Sequence, residues 1–252
     1  IAEPGMDAPQ FAIVTGRDVA KAKADAGTIS RGVGRSPWTG QPIDGDYIKA
    51  EAQAGRMGQV LYTVAVKVTG GFEFRAPTRQ DLEAWRQAEE ALARKKTEWI
   101  ARDIIPTETF PGGNDNRPLI YGMPRWSDFF APRQLLSIAV FREAQDQVIA
   151  EMRLRVQPAR AEAIETYLGV MLDKVVIYNN RNCRFDPGRG IRSVFDRHDF
   201  AFVSSHAEFD ASANLLPWSI SQIADAYREI AELVHPSQTA LGAPNEPGTA
   251  DR

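Results

Sequence analysis

The sequence lacks the features that define several large classes of protein. Cys183 is the only cysteine in 252 residues, which excludes an intrachain disulfide and a cysteine-based zinc site built from this chain alone. No apolar run approaches the roughly 18 residues of a membrane-spanning helix. Residues 1–5 have neither the basic nor the apolar region of a signal peptide. We therefore expect a cytoplasmic protein with no membrane partner.

Neither sign of charge dominates the sequence. The 30 lysines and arginines face 33 aspartates and glutamates, which gives a net charge of -3. This balance creates no overall field that holds nucleic acid or an anionic membrane, so any such binding has to be local. An apolar content of 43% is that of an ordinary globular protein and excludes a disordered or collagenous chain. The chain begins at Ile1 rather than at methionine, which indicates a segment of a longer protein, although processing would give the same start.

The common signatures of enzymes are also absent. The sequence has no phosphate-binding loop with Lys-Ser/Thr, no nucleophile elbow, no zinc-protease motif and no Rossmann fingerprint. His198, His206 and His235 follow no metal-ligand spacing, so we expect no metal site. Cys183 lies beside Arg184, whose charge favours a thiolate, but a buried, inert cysteine is the interpretation that we favour. An independent enzyme that uses Cys183 or the region of His198 and His206 is therefore a third hypothesis, after the two given below.

Turn-forming residues divide the chain into a β part and a helical part. The first 60 residues are rich in Gly, Pro, Asp and Lys, and Phe11 to Val14 predicts a short strand there. The alternation over residues 58–68, followed by Gly70-Gly71 and residues 72–75, predicts a β-hairpin with one buried face. Helical spacing of apolar residues, with capping residues or proline at the starts, predicts helices over about 78–102, 132–155, 158–178 and 219–233.

These patterns together predict an α+β fold. Pro106 to Pro132 contains too many breakers for a helix and too many aromatic residues for a free linker, so we expect an ordered, packed loop over 103–131. The second and third helices should form an antiparallel hairpin because their connection is short. We expect a small loop-rich β subdomain over 1–77, a mainly helical domain over 78–235 and a disordered tail over 236–252.

Two groups of arginines are the candidate nucleic-acid contacts. One lies between residues 181 and 197, around the turn Gly188-Arg189-Gly190, and the other flanks Trp126. Guanidinium groups fork onto phosphate oxygens, and glycine N–H groups add donors. A solvated loop held by pairs with Asp186 and Asp196 is the alternative for the first group, and core packing of Trp126 for the second. The nearby asparagines 179, 180 and 182 either read base edges or cap the preceding helix. The candidate DNA-binding residues are Arg125, Arg133, Arg181, Arg184, Arg189 and Arg192.

One stretch of the sequence resembles a known family. Residues 121–136 read Tyr-Gly-Met-Pro-Arg-Trp-Ser-Asp-Phe-Phe-Ala-Pro-Arg-Gln-Leu-Leu. This resembles the central signature of large microbial adenine-specific DNA methyltransferase-like proteins that carry a zinc-ribbon insert. Further motifs extend the resemblance in the same order over about residues 25–220. They include Gly27 to Gly32, Tyr178-Asn179, Cys183-Arg184 and Pro187-Gly188-Arg189.

The resemblance implies a central, non-catalytic segment of an adenine-specific DNA methyltransferase that contributes to DNA recognition. The family's loop for S-adenosylmethionine precedes this region and its Asp-Pro-Pro-Tyr motif follows it, and neither is in this sequence. The chain alone should then be inactive and hold no cofactor, while catalytic halves on the same or another chain bind S-adenosylmethionine. Relatives carry a Cys-Pro-x-Cys-Gly knuckle where this chain has residues 36–40, Ser-Pro-Trp-Thr-Gly. The β part is accordingly expected to be a degenerate, zinc-ribbon-like unit that binds no zinc.

The second hypothesis belongs to another class of protein. The predicted helices could form a structural or protein-docking module of a DNA modification or defence system. The helix over 78–102, with Arg94, Lys95, Lys96 and an exposed Trp99, would then contact a partner.

Overall fold

The computed structural model describes residues 10–22, 27–30, 32–113, 115–196, 203 and 205–234. This part of the chain is mixed α/β and 53% helical, with a few small antiparallel sheets. None of its helices is both long enough and apolar enough to cross a bilayer. The predictions for Arg197, His198, His235 and the tail over 236–252 lie outside the described residues.

The N-terminal part contains one small sheet and two helices. Strands β1 (Ile29–Ser30), β2 (Val33–Arg35) and β3 (Pro42–Ile43) pair in that order, antiparallel. Helix α1 spans Asp18–Ala22 and helix α2 spans Gly45–Gln53. The Asp44 carboxylate caps α2 by accepting the N–H of Asp46 at 2.7 Å. The strand predicted at Phe11 to Val14 is wrong, because this segment has no regular structure.

The turn over residues 36–40 connects β2 to β3. The Ser36 hydroxyl accepts the N–H groups of Trp38 at 3.3 Å and Thr39 at 3.2 Å, and the Ser36 N–H donates to the Gln41 carbonyl at 2.9 Å. A serine oxygen therefore holds the tight turn at the position where the family that the sequence resembles has a cysteine knuckle. The strands beside it have only two or three residues. A zinc-ribbon-like fold is not confirmed for this part of the chain.

The predicted β-hairpin is confirmed, but its expected buried face is wrong. Strand β4 (Val64–Val68) pairs with β5 (Gly71–Arg75), and Lys67 stands opposite Phe72. Ala65, Val66 and Lys67 are exposed. A two-stranded hairpin buries a face only where another element covers it. Here a wide cleft lies against the hairpin instead.

Helix α3 (Arg79–Ala101) follows the predicted boundaries. Thr78 and Asp81 form the expected capping box: the Thr78 hydroxyl accepts the Asp81 N–H, and the Asp81 carboxylate accepts the Thr78 N–H. Arg75 also donates to that carboxylate at 2.6 Å and, together with Thr78, holds the pKa of Asp81 well below its usual range. Trp99 was expected to be exposed, but it is only 1% exposed. It packs against the following loop and the next long helix, in one apolar cluster.

The described residues of the predicted loop, 103–113 and 115–131, are ordered and packed, as predicted. The loop contains a short helix α4 (Arg117–Ile120) and a 3-10 turn over Trp126–Phe129. Phe110 is buried and meets the Trp126 ring edge-on, with ring centroids 5.0 Å apart. Gly122 has a φ of 75° and presses against helix α2, where an added Cβ would lie 2.1 Å from the Ala52 carbonyl oxygen. This contact joins the N-terminal part to the helical part and admits only glycine.

The three remaining helices were also predicted within three residues. Helices α5 (Pro132–Arg153) and α6 (Pro158–Tyr178) both begin with proline and run antiparallel, since Arg153 pairs with Glu165 while Ile138 packs near Val175. A π-helical turn over Ala211–Leu215 leads into α7 (Leu216–Val234), which packs on α6. Leu215 is fully buried with Ile138 and Val175 in the second apolar cluster.

The arginine-rich segment after α6 is more regular than predicted. It forms a hairpin of β6 (Arg184–Asp186) and β7 (Gly190–Arg192), with Phe185 opposite Ile191. The Asp186 side chain accepts the N–H groups of Gly188 at 2.9 Å and Arg189 at 3.1 Å. This Asx turn closes the hairpin and places Arg189 at its tip. Strands of three residues carry too little periodicity to be recognised in the sequence.

Candidate nucleic-acid-binding cleft

A wide cleft of about 2530 Å³ lies between the β4–β5 hairpin, the β6–β7 hairpin, helix α5, Val203 and the chain over 205–214. Four of the six candidate arginines line it, although Arg133 is almost fifty residues before the others in the sequence. These four are Arg133, Arg181, Arg189 and Arg192. Arg125 and Arg184 are not among the lining residues.

A small aromatic cluster fixes one wall of the cleft. The Phe185 ring meets the Phe72 and Phe74 rings edge-on, with centroid distances of 5.1 Å and 5.5 Å. Gly190 lies close to the Phe72 ring, so β7 approaches β5 without a side chain between them. Phe72 and Lys67 are cross-strand partners and therefore share one face of the β4–β5 hairpin. The contact thus places Lys67 on the face of its hairpin that carries the β6–β7 hairpin.

The cleft has a positive excess of charge. Five cationic side chains line it, against three carboxylates. The cations are Lys67, Arg133, Arg181, Arg189 and Arg192, and the carboxylates are Asp81, Glu208 and Asp210. Aromatic rings are also abundant along the walls. They include Phe11, Tyr62, Phe72, Phe74, Trp85, Tyr121, Tyr178, Phe185, Phe209 and Trp218.

Arg133 is neutralised inside the cleft. Its guanidinium lies 3.2 Å from a carboxylate oxygen of Glu208 and stands over the Trp85 ring at 5.9 Å. The same carboxylate lies 3.9 Å from His206. Glu208 is mostly buried, so this pair is less screened than an exposed one. Arg133 therefore fastens α5 to the chain over 205–209 and has little charge left for a ligand.

Arg184 and Arg192 share a single carboxylate. Arg192 Nε donates to Asp196 at 2.7 Å and Arg184 donates to its other oxygen at 2.5 Å. These hydrogen bonds lower the pKa of Asp196 to about 2, and the one from Arg192 has the larger effect. The alternative expected for this loop, structural pairing with Asp196, is thus what the structure contains for two of its arginines.

Arg181 has a structural role and faces two cavities. Its guanidinium donates to the Asp128 backbone carbonyl at 3.2 Å, and its backbone N–H donates to the Phe129 carbonyl at 2.7 Å. Burial lowers its pKa from the usual value, although a guanidinium stays charged. The side chain lines both the cleft and a smaller cavity of about 240 Å³, which Lys96 and Asp128 also line.

Three candidate arginines, Arg125, Arg181 and Arg189, form no ion pair with any described residue. Arg181 is half-buried and held by the Asp128 carbonyl, whereas Arg125 and Arg189 are exposed. Arg189 projects from the hairpin tip at the cleft, whereas Arg125 lies outside the cleft beside Trp126. Trp126 packs on Phe110 and Phe129 but is 40% exposed, so it lies at the edge of the core and not inside it. Of the six predicted contacts, Arg189 is therefore the one with both the position and the free charge to bind an anion in the cleft.

The asparagines beside the hairpin are structural. Asn180 donates to the Val176 carbonyl at 2.8 Å at the end of α6, which confirms the capping interpretation for that residue. Asn179 is buried, and its side-chain oxygen accepts the Phe209 N–H at 3.0 Å. Asn182 is also buried, and neither polar atom of its amide has a hydrogen-bond partner among the described residues. These contacts join the end of α6 to the chain that leads into α7.

Catalytic chemistry finds little support in the described part of the chain. Cys183 is fully buried, its thiol contacts the Ile177 carbonyl at 3.4 Å, and burial raises its pKa to about 11. A thiolate is therefore disfavoured there despite the neighbouring Arg184. Among the described residues, no group of three or more His, Cys, Asp or Glu side chains lies close enough together to hold a metal ion.

Three residues of the cleft were not among the sequence candidates. Lys67 has no carboxylate partner among the described residues, and Tyr62 and Phe74 are 42% and 39% exposed. The Tyr62 hydroxyl lies 2.6 Å from the Ser205 hydroxyl, which ties the two sides of the cleft together. The sequence did signal these residues in part, because it places a positive charge and aromatic residues in or beside a predicted hairpin. The sequence could not show that this hairpin faces the arginine loop.

No protein-family model, curated protein or solved structure matches this chain.

Proposed function

We propose that this chain is a non-catalytic nucleic-acid-binding segment and that the cleft between the two hairpins is its binding site. The observation that carries the proposal is the convergence of Lys67 and four separately predicted arginines on one cleft. Cationic side chains beside exposed aromatic rings are the usual combination for holding a phosphodiester backbone and its bases. Lys67 and Arg189 have the free charge to contact phosphates, while Arg133 and Arg192 shape the walls through their ion pairs.

The wider role that we propose follows from the resemblance of residues 121–136. In this role the chain is the central segment of an adenine-specific DNA methyltransferase-like protein and contributes to DNA recognition. Methyl transfer to adenine and the binding of S-adenosylmethionine belong to catalytic halves on the same or another chain. The sequence has no Asp-Pro-Pro-Tyr motif and no cofactor loop, so the chain's own residues supply binding only.

Substitution of Arg189 tests the binding function. Arg189→Gln should weaken the binding of labelled DNA about threefold to tenfold, because one phosphate contact is lost. The matched control is Arg160→Gln, which removes an exposed charge near the start of α6, away from the cleft. Fluorescence anisotropy measures both affinities. Equal affinity of Arg189→Gln and wild type, or an equal loss in the control, would contradict the proposal.

A docking module is the second candidate function, and helix α7 favours it. Apolar residues recur on this helix at intervals of three and four, at Ile220, Ile223, Tyr227, Ile230 and Val234. Tyr227 meets Tyr167 of α6 edge-on at 5.4 Å, yet Ile220, Tyr227 and Ile230 remain about half exposed. A stripe that is wider than its contact with α6 leaves apolar surface for another protein.

Sedimentation equilibrium distinguishes this second function. A docking surface that includes α7 should give an increase in mass with concentration, which Ile230→Lys abolishes and Glu232→Lys on the polar face retains. If the protein stays monomeric at every concentration and no other protein binds to α7, the result favours the nucleic-acid function.

A further inference from the structure

The cleft can be assigned to one form of nucleic acid. We infer that it binds an unpaired strand, whose bases stack on exposed aromatic rings, in preference to a duplex. This inference rests on the proposed function of the cleft and adds the kind of nucleic acid that it takes.

The number of free cations argues against a duplex. Of the five cations that line the cleft, Arg133 pairs with Glu208 and Arg192 pairs with Asp196, while Arg181 is half-buried and donates to a backbone carbonyl. Two or three charges are therefore left for phosphates. Proteins that hold duplex DNA by its backbone make about six to ten phosphate contacts. The described residues of the cleft therefore supply fewer free charges than that kind of binding uses.

The walls of the cleft supply the other part of the binding energy. Phe74 and Tyr62 each expose about two fifths of their surface, and both line the cleft. In a duplex the faces of the bases are covered by their neighbours, so an aromatic side chain gains no stacking. In an unpaired strand each base that stacks on an aromatic ring contributes about 1–3 kcal/mol. Two stacked bases therefore outweigh the two or three phosphate contacts.

The geometry places the two kinds of group side by side. Phe74 packs on Phe185, which precedes the turn that carries Arg189, and Lys67 lies on the same hairpin face as Phe72 and Phe74. A base on Phe74 would thus have its phosphates near the Lys67 and Arg189 side chains. This arrangement follows the usual plan of unpaired-strand sites, where rings hold the bases and cations follow the backbone.

The test compares an oligonucleotide without secondary structure with a duplex of the same length in fluorescence-anisotropy titrations. We expect the unpaired strand to bind at least about tenfold more tightly. The logarithm of its association constant should fall with the logarithm of the salt concentration with a slope of about -1.5 to -2, as two or three phosphate contacts require. Oligo-dT and oligo-rU are both used, and tighter binding than the duplex by either one supports the inference.

Variants locate the stacking. Phe74→Leu keeps an apolar side chain but removes the aromatic face, and should weaken binding of the unpaired strand about fivefold to tenfold with no change for the duplex. Tyr47→Leu, at an aromatic residue that is 60% exposed and outside the cleft, is the control. If Phe74→Leu does not fold by circular dichroism, Lys67→Gln on the exposed strand surface replaces it and should reduce the salt slope by about 0.7.

The outcomes separate the inference from the proposed function. A duplex that binds as tightly as the unpaired strand, with a steep salt dependence and sensitivity to Arg189→Gln, overturns the inference and leaves the cleft as a nucleic-acid site. Absence of binding by both forms at low salt overturns the proposed function as well. Equal losses in Phe74→Leu and Tyr47→Leu overturn the role of stacking in the cleft.

Discussion

The ring of Phe185 meets the ring of Phe72 edge-on, with 5.1 Å between their centroids. Through this contact, together with that of Phe185 and Phe74, the hairpin that carries Arg189 is held against the hairpin that carries Lys67 and forms one wall of the cleft. The two hairpins are over a hundred residues apart in sequence, and each has only two strands. An isolated two-stranded hairpin is marginally stable, so each depends on the other.

Removal of the Phe185 ring should therefore destabilise the protein. We expect Phe185→Ala to lower the free energy of unfolding by about 2 kcal/mol, less than for a fully buried phenylalanine because the residue is half-buried. Phe195→Ala, at a ring that is 64% exposed, should change it by less than about 0.5 kcal/mol. Urea denaturation followed by circular dichroism measures both. Equal effects of the two substitutions would contradict the proposed packing.

Asp196 limits the positive charge available at the cleft. Because it pairs with both Arg184 and Arg192, Asp196→Asn should release two guanidinium groups and increase the affinity for nucleic acid about threefold to tenfold at low salt. Asp225→Asn also removes a carboxylate that pairs with an arginine, but on α7 away from the cleft, and should leave the affinity unchanged. Anisotropy titrations compare the two variants. A loss of affinity in Asp196→Asn would mean that the ion pairs, rather than free arginines, organise the site.

The same carboxylate makes stability depend on pH in a defined range. The folded protein holds the pKa of Asp196 at about 2, below the roughly 3.9 of an unfolded chain, so the unfolded state binds the proton more readily. The stabilisation by Asp196 is fully present above about pH 4 and is lost as the pH falls towards about 2. The difference in Tm between wild type and Asp196→Asn should thus shrink over this interval. A difference that stays constant from pH 6 to pH 2, in thermal scans, would contradict the assignment.

The capping box of α3 should contribute measurably to stability. Thr78→Ala removes the hydroxyl that accepts the Asp81 N–H and should cost about 1 kcal/mol. Thr97→Ala replaces an exposed threonine within the same helix and should be neutral or slightly stabilising, since alanine favours helices. Chemical denaturation tests the pair. If both substitutions have the same effect, the cap does not anchor the helix.

Cys183 should be unreactive in the folded protein. Its thiol is fully buried and its pKa is raised to about 11, so a thiol reagent at mildly alkaline pH should react slowly in buffer and rapidly in urea. Absorbance of the released thiolate follows the reaction. Rapid labelling of the native protein would reopen the hypothesis of a nucleophilic cysteine.

Local signals in the sequence predicted the helical part well. The Thr78 to Asp81 capping box and the prolines at positions 132 and 158 mark helix starts with a physical mechanism, and the long apolar periodicity sets the helix lengths. Trp99 was misjudged because exposure depends on which helix face meets α5 and the loop after α3. Only the packing of Trp99 against these elements determines that it is buried.

The site was only partly predictable for the same reason. Arginine composition identified the loop around Arg189, but not that Asp196 and Glu208 neutralise three of the six candidates. Glu208 is 75 residues from Arg133, and no local pattern links them. Lys67 and Phe74 became candidates only through the contact of the two hairpins. A sequence therefore shows which residues are able to bind a phosphate, while the fold determines which of them are free to do so.

The most direct test of the central claim is an anisotropy titration of the wild-type chain with labelled unpaired and duplex DNA at about 50 and 200 mM salt. Our account predicts saturable binding that weakens at the higher salt, with the unpaired strand bound more tightly. Absence of binding to either form at the lower salt would contradict a nucleic-acid-binding cleft.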